Sequence, residues 1–368
     1  MHTFLRNLTL LNFKNYEDVS LQFCDKINCF VGDNGIGKTN ILDSIYYLSL
    51  CKSFFSGVDS LNIRHGHEFF VIQGEYARED KTENIYCGVK QGFKKVFRRN
   101  NKEYDRLSEH IGLLPVVMVS PADSGLIIEG SEERRKFIDA VLSQFDHQYL
   151  DDLLRYNRVL TQRNLLLKDF ARSNWFDADM VEMWDEQLVA SGVRIFEKRK
   201  LFISNLIPVF QEYYEFVSGG KEKVELSYES RLLTGDFANM LKNSIEKDRK
   251  LQHTSVGIHK DDLLLSLSGF PIKRVGSQGQ QKTFLVALKL AQFDYIKKEA
   301  GTFPLLLLDD IFDKFDAHRV AKIINLVASK NFGQIFITDT SSERMSEILK
   351  QIDGEYRLFH ISEEGVNS

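Results

Sequence analysis

The feature that most constrains this chain is a glycine-rich segment that joins a short apolar run to an amphipathic pattern. Residues 27–31 are almost entirely apolar, and apolar side chains from Ile41 to Leu48 recur at helical spacing. Between them, residues 32–39 match the pattern G-x-x-x-x-G-K-[ST]. A strand, a tight turn and a helix in that order predict a P-loop, whose backbone N–H groups and helix N-terminus face phosphates. The expected nucleotide contacts are Gly32, Asp33, Asn34, Gly35, Ile36, Gly37, Lys38, Thr39 and Asn40.

Two side chains of the P-loop have specific predicted roles. Lys38 should contact the β- and γ-phosphates of ATP and act in catalysis there. The Thr39 hydroxyl should ligate Mg²⁺, so ATP and Mg²⁺ are the predicted cofactors. The alternative is a chance glycine-rich turn, and the strand before it and the helix after it argue against that.

A second apolar run ends in two carboxylates. Residues 305–308 are leucines, and Asp309 and Asp310 follow them. A buried strand would carry Asp309 to the edge of the sheet beside the P-loop, where we expect it to hold Mg²⁺ directly or through water. Asp310 should point differently and polarise the attacking water as the catalytic base. A solvated acidic turn is the alternative, which the presence of a P-loop disfavours.

Residues 277–282, S-Q-G-Q-Q-K, open an apolar helix pattern and resemble the ABC signature L-S-G-G-Q. Gly276 and Gln278 replace its Leu and its first Gly. An ordinary N-capped helix is the alternative, but the position between a P-loop and an acidic strand favours a second phosphate site, which serves the nucleotide of a partner subunit. The matching residues are Ser277, Gly279 and Gln280.

Two segments near the acidic pair depart from the ABC pattern. Residues 312–316, F-D-K-F-D, occupy the D-loop position with Asp316 at the recurring aspartate, but D-K-F-D replaces the more usual S-E-L-D. Transporter ATPases carry a switch histidine after the next strand, where this chain has Thr338, Asp339 and Thr340. This difference counts against a transporter subunit and leaves the γ-phosphate sensor unassigned.

The order of patterns along the chain indicates one ATPase domain divided by an insertion. Strand patterns dominate before residue 129, helical periodicity runs from 131 to about 250, and strand and helix patterns alternate afterwards. We therefore predict an α/β, ABC-type P-loop ATPase domain formed by residues 1–128 and 255–368. A mainly helical lobe, residues 129–254, divides it. No heptad pattern persists over many turns, so we expect no long coiled coil.

Three stretches resemble the RecF family. Residues 5–16 resemble its opening L-x-N-F-R-N-Y, residues 120–139 its S-P-E-D-L…R-R-x-F-L-D block, and residues 257–263 its G-P-H-R-D-D-L. Ala122 and Ser131 depart from the usual acid and proline. The resemblance implies an ATPase head like those of SMC proteins and Rad50. It also implies an ATP-dependent homodimer that binds duplex DNA and single-strand/double-strand junctions, and that loads RecA at gaps with RecR and RecO.

Composition restricts where such a protein works. The net charge is −4, so DNA binding would need a local basic surface. No apolar run approaches the roughly 18 residues of a membrane helix, and the four cysteines lack metal-ligand spacing. We expect a cytoplasmic protein with reduced thiols and no membrane contact.

Between residues 93 and 104, basic residues alternate with aromatic residues and form one candidate DNA surface. An equal alternative is a solvated hairpin whose aromatic side chains turn to the core. We also expect the basic residues 194–200 to form a solvated helix face. The candidate DNA contacts are Lys94, Lys95, Arg98, Arg99 and Lys102, interleaved with Phe93, Phe97 and Tyr104.

Two other functions stay open beside that of a weak, switch-like ATPase of DNA repair. One is another ABC ATPase, which serves a transporter or a translation factor. The other is a scaffold that binds ATP without hydrolysing it, because Asp310 replaces the commoner Glu.

Overall fold

The structure is a computed structural model that describes residues 2–79, 81–220, 222–312, 317–328, 332–350, 352, 354–363 and 365–367. The chain divides into two compact units. The first unit contains residues 1–124, 216–219 and 278–368, and the second contains 125–215 and 220–277.

Fifteen strands and ten α-helices form these units within the described ranges. The strands are β1 (Thr3–Phe13), β2 (Tyr16–Gln22), β3 (Ile27–Val31), β4 (Phe69–Arg78), β5 (Lys81–Lys90), β6 (Val96–Arg99), β7 (Lys102–Glu103), β8 (Val116–Val119), β9 (Val224–Glu229), β10 (Asp262–Leu267), β11 (Phe270–Pro271), β12 (Leu305–Leu308), β13 (Ile335–Asp339), β14 (Tyr356–Ser362) and β15 (Gly365–Asn367). The helices are α1 (Lys38–Leu50), α2 (Gly125–Ile128), α3 (Ser131–Leu142), α4 (His147–Ser173), α5 (Ala178–Ser218), α6 (Phe237–Leu251), α7 (Ile272–Val275), α8 (Gln278–Ala300), α9 (Ala317–Ala328) and α10 (Ser342–Leu349).

Two six-stranded sheets form the first unit. The first has the order β2-β1-β4-β5-β6-β7 and is antiparallel. The other has the order β15-β14-β3-β13-β12-β8, and β14, β3, β13, β12 and β8 run parallel. Every residue of β3, β8, β12 and β13 is buried, as in parallel strands covered on both faces, which explains their continuous apolar runs. Because these strands are parallel, their carboxyl ends meet at one edge.

The second unit contains helices α2 to α7, with α5 continuing to Ser218, and the sheet β11-β10-β9. Its boundary differs from the predicted one. We placed the strand Asp262–Leu267 in the ATPase domain, but it pairs along its length with β9, so the second unit continues to residue 277. The terminal strands β14 and β15 were not predicted, and β14 extends the parallel sheet beside β3.

A partly buried ionic network joins two of the family stretches inside the second unit. The Arg134 guanidinium donates to both carboxylate oxygens of Asp262, at 2.7 and 3.0 Å. Arg199 lies between Asp139, at 2.8 Å, and Asp261, at 3.3 Å. Arg199 is 2% exposed, so our prediction that it lies on a solvated helix face is wrong. The charged residues of these stretches hold helices and strand together.

All four cysteines are buried with free thiols. In the described part of the chain, every helix is too short or too polar to traverse a bilayer.

Candidate nucleotide-binding site

The glycine-rich segment forms a turn between β3, which ends at Val31, and α1, which begins at Lys38. Gly37 has φ 117°, and a Cβ on it would lie 2.2 Å from Asn15 Nδ2, so only glycine fits. Asn15 Nδ2 donates to Ile36 O at 2.7 Å, and Asn40 Nδ2 donates to Asn15 Oδ1 at 2.6 Å. Asn15, in the turn between β1 and β2, therefore holds the loop, a role that its family stretch alone did not reveal.

The P-loop lysine lies over its own loop. Lys38 is 3% exposed, and its Nζ donates to the carbonyl oxygens of Gly32 and Asp33, at 2.8 Å each. Carbonyls are neutral, and no carboxylate pairs with this ammonium within the ranges that the structure describes. A buried charge without a counter-charge is costly in a protein, and an anionic phosphate would supply the missing one.

The first carboxylate of the acidic pair meets the P-loop threonine. Asp309 Oδ1 accepts from Thr39 Oγ1 at 2.7 Å and from Thr338 Oγ1 at 2.9 Å, while Ser120 Oγ donates to Oδ2 at 3.3 Å. Burial raises the pKa of Asp309, and the Asp310 charge raises it further, whereas the hydroxyl hydrogen bonds lower it. The structure thus brings together the two predicted Mg²⁺ ligands, which lie on different segments of the chain.

Asp310 adopts a conformation that is uncommon for a non-glycine residue. Its φ is 43°, and its backbone N–H donates to Thr338 Oγ1 at 2.9 Å. The Thr338 hydroxyl therefore bonds both members of the acidic pair, accepting from one and donating to the other. Sequence reasoning missed this role, since Thr338 drew notice only as part of the segment without a switch histidine.

The carboxylate of Asp339, the residue after Thr338, is already paired within the protein. Asp339 is buried, and Arg344 Nη2 donates to both of its carboxylate oxygens at 2.7 Å. The Ser341 backbone N–H donates to Asp339 Oδ1 as well, also at 2.7 Å. These bonds fix the segment that follows β13, and the Arg344 charge compensates Asp339.

The signature segment begins where expected. Ser277 is exposed and directly precedes α8, and Gly279 and Gln280 lie half-buried in its first turn. The D-loop prediction, including Asp316, concerns residues 313–316, which lie outside the described residues.

The structure divides the basic hairpin into engaged and exposed cations. Lys95 bonds Asp59 at 2.8 Å, and Arg99 forms an ion pair with Glu83. The aromatic Phe97 is buried, as the alternative interpretation expected, whereas Phe93 is exposed, against that interpretation. Three candidates for DNA contact are exposed: Lys94, Arg98 and Lys102.

The chain matches a protein family over most of its length and has relatives of similar length. Residues 4–360 match the family model described as RecF/RecN/SMC N terminal domain. The DNA replication and repair protein RecF of Phocaeicola vulgatus is 53% identical over 361 residues, which cover 98% of this chain and 96% of that protein. RecF of Flavobacterium johnsoniae is 52% identical over 357 residues, covering 97% and 99%.

Solved structures give the same result. A structure of the recombination mediator protein RecF with ATP in the RecFOR pathway superposes with a TM-score of 0.89 at 30% identity, covering 100% of this chain and 97% of that one. An SMC head domain from Pyrococcus furiosus shares the fold alone, with a TM-score of 0.59 at 17% identity and coverage of 99% and 95%.

Fold and site together define the class: an α/β, ABC-type P-loop ATPase fold of the SMC-head kind, divided by a mainly helical region. The chain belongs to the RecF family of DNA replication and repair proteins. The predicted fold class and the predicted family are both confirmed.

Proposed function

We propose that this chain is an ATP-dependent, DNA-binding ATPase of recombinational repair and of replication-gap and fork maintenance. ATP joins two copies, the dimer holds duplex DNA at single-strand/double-strand junctions, and it acts with RecR and RecO to load RecA. The observation that carries the proposal is the contact of Thr39 with Asp309 beside the buried Lys38. The relative solved with ATP in the RecFOR pathway supports it.

The nucleotide phosphates would lie against the P-loop. The N-terminus of α1 and the loop N–H groups favour anions. Lys38 would exchange its two neutral carbonyl partners for charged phosphate oxygens, which are stronger acceptors. The γ-phosphate thus gains a charge-assisted contact that holds ATP more tightly than ADP.

The donor set at the sheet edge fits Mg²⁺. Thr39 and Asp309 offer only oxygen ligands, the type that Mg²⁺ prefers, and the Asp309 carboxylate has no cationic partner among the described residues. These two residues would hold the ion, which when bound neutralises charge on the phosphates.

Hydrolysis needs a base near the γ-phosphate, and Asp310 is our candidate. Its backbone N–H is bonded to Thr338, and it directly follows Asp309, the residue that would hold the metal. The Asp310 carboxylate would orient and deprotonate the attacking water. ATP turnover is slow, as in a conformational switch. Hydrolysis then ends the DNA-bound state once and does not drive repeated motion along DNA.

The signature residues would complete the site of a second copy. In a two-fold dimer, Ser277, Gly279 and Gln280 of one copy contact the nucleotide in the P-loop of the other. Exposed Lys94, Arg98 and Lys102 contact DNA phosphates, with Lys95 and Arg99 fixing the hairpin.

Sizing the protein by light scattering with ATP, ADP or no nucleotide, with and without a gapped duplex, tests the proposal. We expect a dimer with ATP but not with ADP or without nucleotide. The samples with ATP should also retain the gapped duplex more tightly. A monomer under all conditions, or an equal response to ADP, contradicts it.

Mixing two inactive variants tests the composite site. Ser277→Arg blocks the signature side, and Lys38→Ala disables the P-loop side. The mixed dimer has one site with both lesions and one intact, so the mixture should regain part of the ATPase activity that each variant lacks. Activity near zero at every mixing ratio, once the mixed dimer is shown to form, contradicts a shared site.

A further inference from the structure

An exposed aromatic side chain marks the tip of the basic hairpin in the first unit. β5 and β6 pair antiparallel, and Phe93 lies in the turn that joins them. It is 70% exposed, whereas Phe97 on β6 is 1% exposed. A single exposed apolar residue is ordinary on a protein surface, so its surroundings decide what it means.

Those surroundings are cationic. Lys90 Nζ lies over the Phe93 ring, 5.3 Å from its centre, and Lys94 and Arg98 are exposed on the same hairpin. Two carboxylates lie nearby, Glu68 at 3.7 Å from Lys90 and a glutamate of β7 at 3.8 Å from Arg98. Both pairs are solvent-exposed, so each attraction is weak and can give way to a phosphate.

Side chains at both ends of β6 are fixed, Lys95 directly before it and Arg99 at its last residue, which holds the turn in one orientation. The Lys95 ammonium donates to Asp59 at 2.8 Å and to the Cys51 carbonyl at 2.6 Å. On the other side, Arg99 donates twice to Glu83. The engaged cations anchor the hairpin, Lys90 lies over the ring, and Lys94 and Arg98 are exposed on the same hairpin.

We propose that Phe93 stacks on an unpaired base at a single-strand/double-strand junction while Lys90, Lys94 and Arg98 contact the flanking phosphates. The inference rests on the proposed DNA-binding function and deepens it by naming the residue that distinguishes a junction from a continuous duplex. Aromatic side chains stack on any base, and cations bind the backbone of either DNA. In a continuous duplex every base is already stacked, so the ring adds affinity only where a base is unpaired.

Affinities for two matched DNAs test this. Anisotropy with ATP present would compare a gapped duplex with an intact duplex of equal length for wild type, Phe93→Ala and Phe93→Trp. We expect Phe93→Ala to weaken gapped-duplex binding about tenfold, the size of one lost stacking contact, and to leave intact-duplex binding unchanged. Phe93→Trp should bind as wild type and quench a 2-aminopurine placed at the first unpaired position. Phe270→Ala, at an aromatic residue 63% exposed in the second unit, is the matched control and should change neither affinity.

The outcomes separate the two proposals. Equal losses on both DNAs, or no loss on the gapped DNA that wild type binds, would overturn the stacking role and leave the DNA-binding function intact. Loss of RecR binding in Phe93→Ala, with both DNA affinities unchanged, would overturn it too and assign the tip to a protein partner. Failure of wild type to bind either DNA with ATP would refute the proposed function itself.

Discussion

The second unit and the nucleotide edge of the first unit, where Lys38 and Asp309 lie, differ in whether their buried charges have ion-pair partners. Among the described residues of the second unit, the two fully buried arginines, Arg163 and Arg199, each have carboxylate partners within the same unit. Arg163 has no exposed side-chain surface and is ion-paired with Asp185 and Asp248. Arg199 is held in the same manner by two carboxylates. These charges are compensated by the protein itself.

At the nucleotide edge, the charges lack such partners. Lys38 is bonded to two backbone carbonyls, and Asp309 to three hydroxyls. Neither has an opposite charge beside it in the parts of the chain that the structure covers, although each is 3% exposed. The fold therefore carries the cost of two buried, uncompensated charges at one edge.

We infer from this contrast that the paired charges maintain the fold and that Lys38 and Asp309 serve a ligand. Removing one partner of a compensated buried pair leaves the other uncompensated and destabilises the protein. Removing an uncompensated charge takes away a cost, so stability should hold or rise while ligand binding falls. The substitutions below test this difference.

The largest expected effect is on stability, from Arg199→Ala. It leaves buried Asp261 and half-buried Asp139 without their cation, and we expect the free energy of unfolding to fall by about 3–5 kcal/mol. Urea denaturation of the ligand-free protein measures it, with Arg172→Ala as control, because the Arg172 side chain is 80% exposed and pairs weakly with Asp169. If Arg199→Ala does not fold, Arg199→Lys, which keeps the charge without the fork, should give an intermediate loss. A change as small as the control's would contradict the claim that compensated buried charges maintain the fold.

Lys38→Ala should have the reverse pattern. We expect ATP binding to weaken by about 2–5 kcal/mol, since a buried charge-assisted contact to the phosphates is lost. The free energy of unfolding without nucleotide should be no lower than that of wild type, because no protein carboxylate loses its partner. Calorimetric titration with ATP and the same urea series give both numbers. Wild-type ATP affinity would show that the P-loop interpretation is wrong.

Asp309→Asn gives a pH signature. Burial raises the pKa of the Asp309 carboxyl in the folded state, so the ionised form destabilises the fold at neutral pH, and this cost disappears as pH falls through the folded-state pKa. At pH 7 we expect Asn to raise the free energy of unfolding by about 0.5–2 kcal/mol, a range typical of stabilising substitutions. The gain over wild type should shrink as the pH is lowered. Magnesium-dependent ATP binding should weaken in the same variant.

A gain that does not change with pH would mean that Asp309 ionisation is not its source. A loss of stability at pH 7 would place Asp309 among the charges that maintain the fold.

Much of the nucleotide edge could be predicted because local sequence determines it. A buried strand, a glycine turn and Lys38 lie within one short segment, and the leucines before Asp309 identify a second strand. Parallel strands bring their carboxyl ends to one edge, so strand direction predicted that Thr39 and Asp309 lie at the same edge of the sheet.

The remainder depends on contacts between distant segments. Thr338 acquires its role because β13 lies between β3 and β12, an order that no local pattern states. Arg199 sits in a charged run of a long helix, and its burial depends on carboxylates from α3 and from the segment before β10. Strand β14 joins the parallel sheet through its pairing with β3, a segment more than 300 residues earlier in the chain.

The smallest expected effect concerns Thr338, the residue that joins the two carboxylates. Its hydroxyl accepts from the Asp310 backbone N–H and donates to Asp309 Oδ1, both at 2.9 Å. Asp310 has φ 43°, and a non-glycine residue holds such a conformation only when its surroundings impose it. We infer that Thr338 is a positioning residue for the acidic pair, because its hydroxyl is one of the groups that impose it.

Thr338→Val removes this hydroxyl at nearly constant volume, and Thr338→Ser keeps it. One neutral hydrogen bond is worth about 0.5–1.5 kcal/mol, so we expect kcat for ATP hydrolysis to fall about threefold to tenfold in Thr338→Val. KM for ATP should stay near the wild-type value, since Lys38 and the P-loop are untouched, and Thr338→Ser should restore kcat. A purely structural role would lower the free energy of unfolding and leave kcat per folded molecule unchanged. A rise in KM with constant kcat would instead assign Thr338 to nucleotide binding, and the acidic pair would then hold its geometry without it.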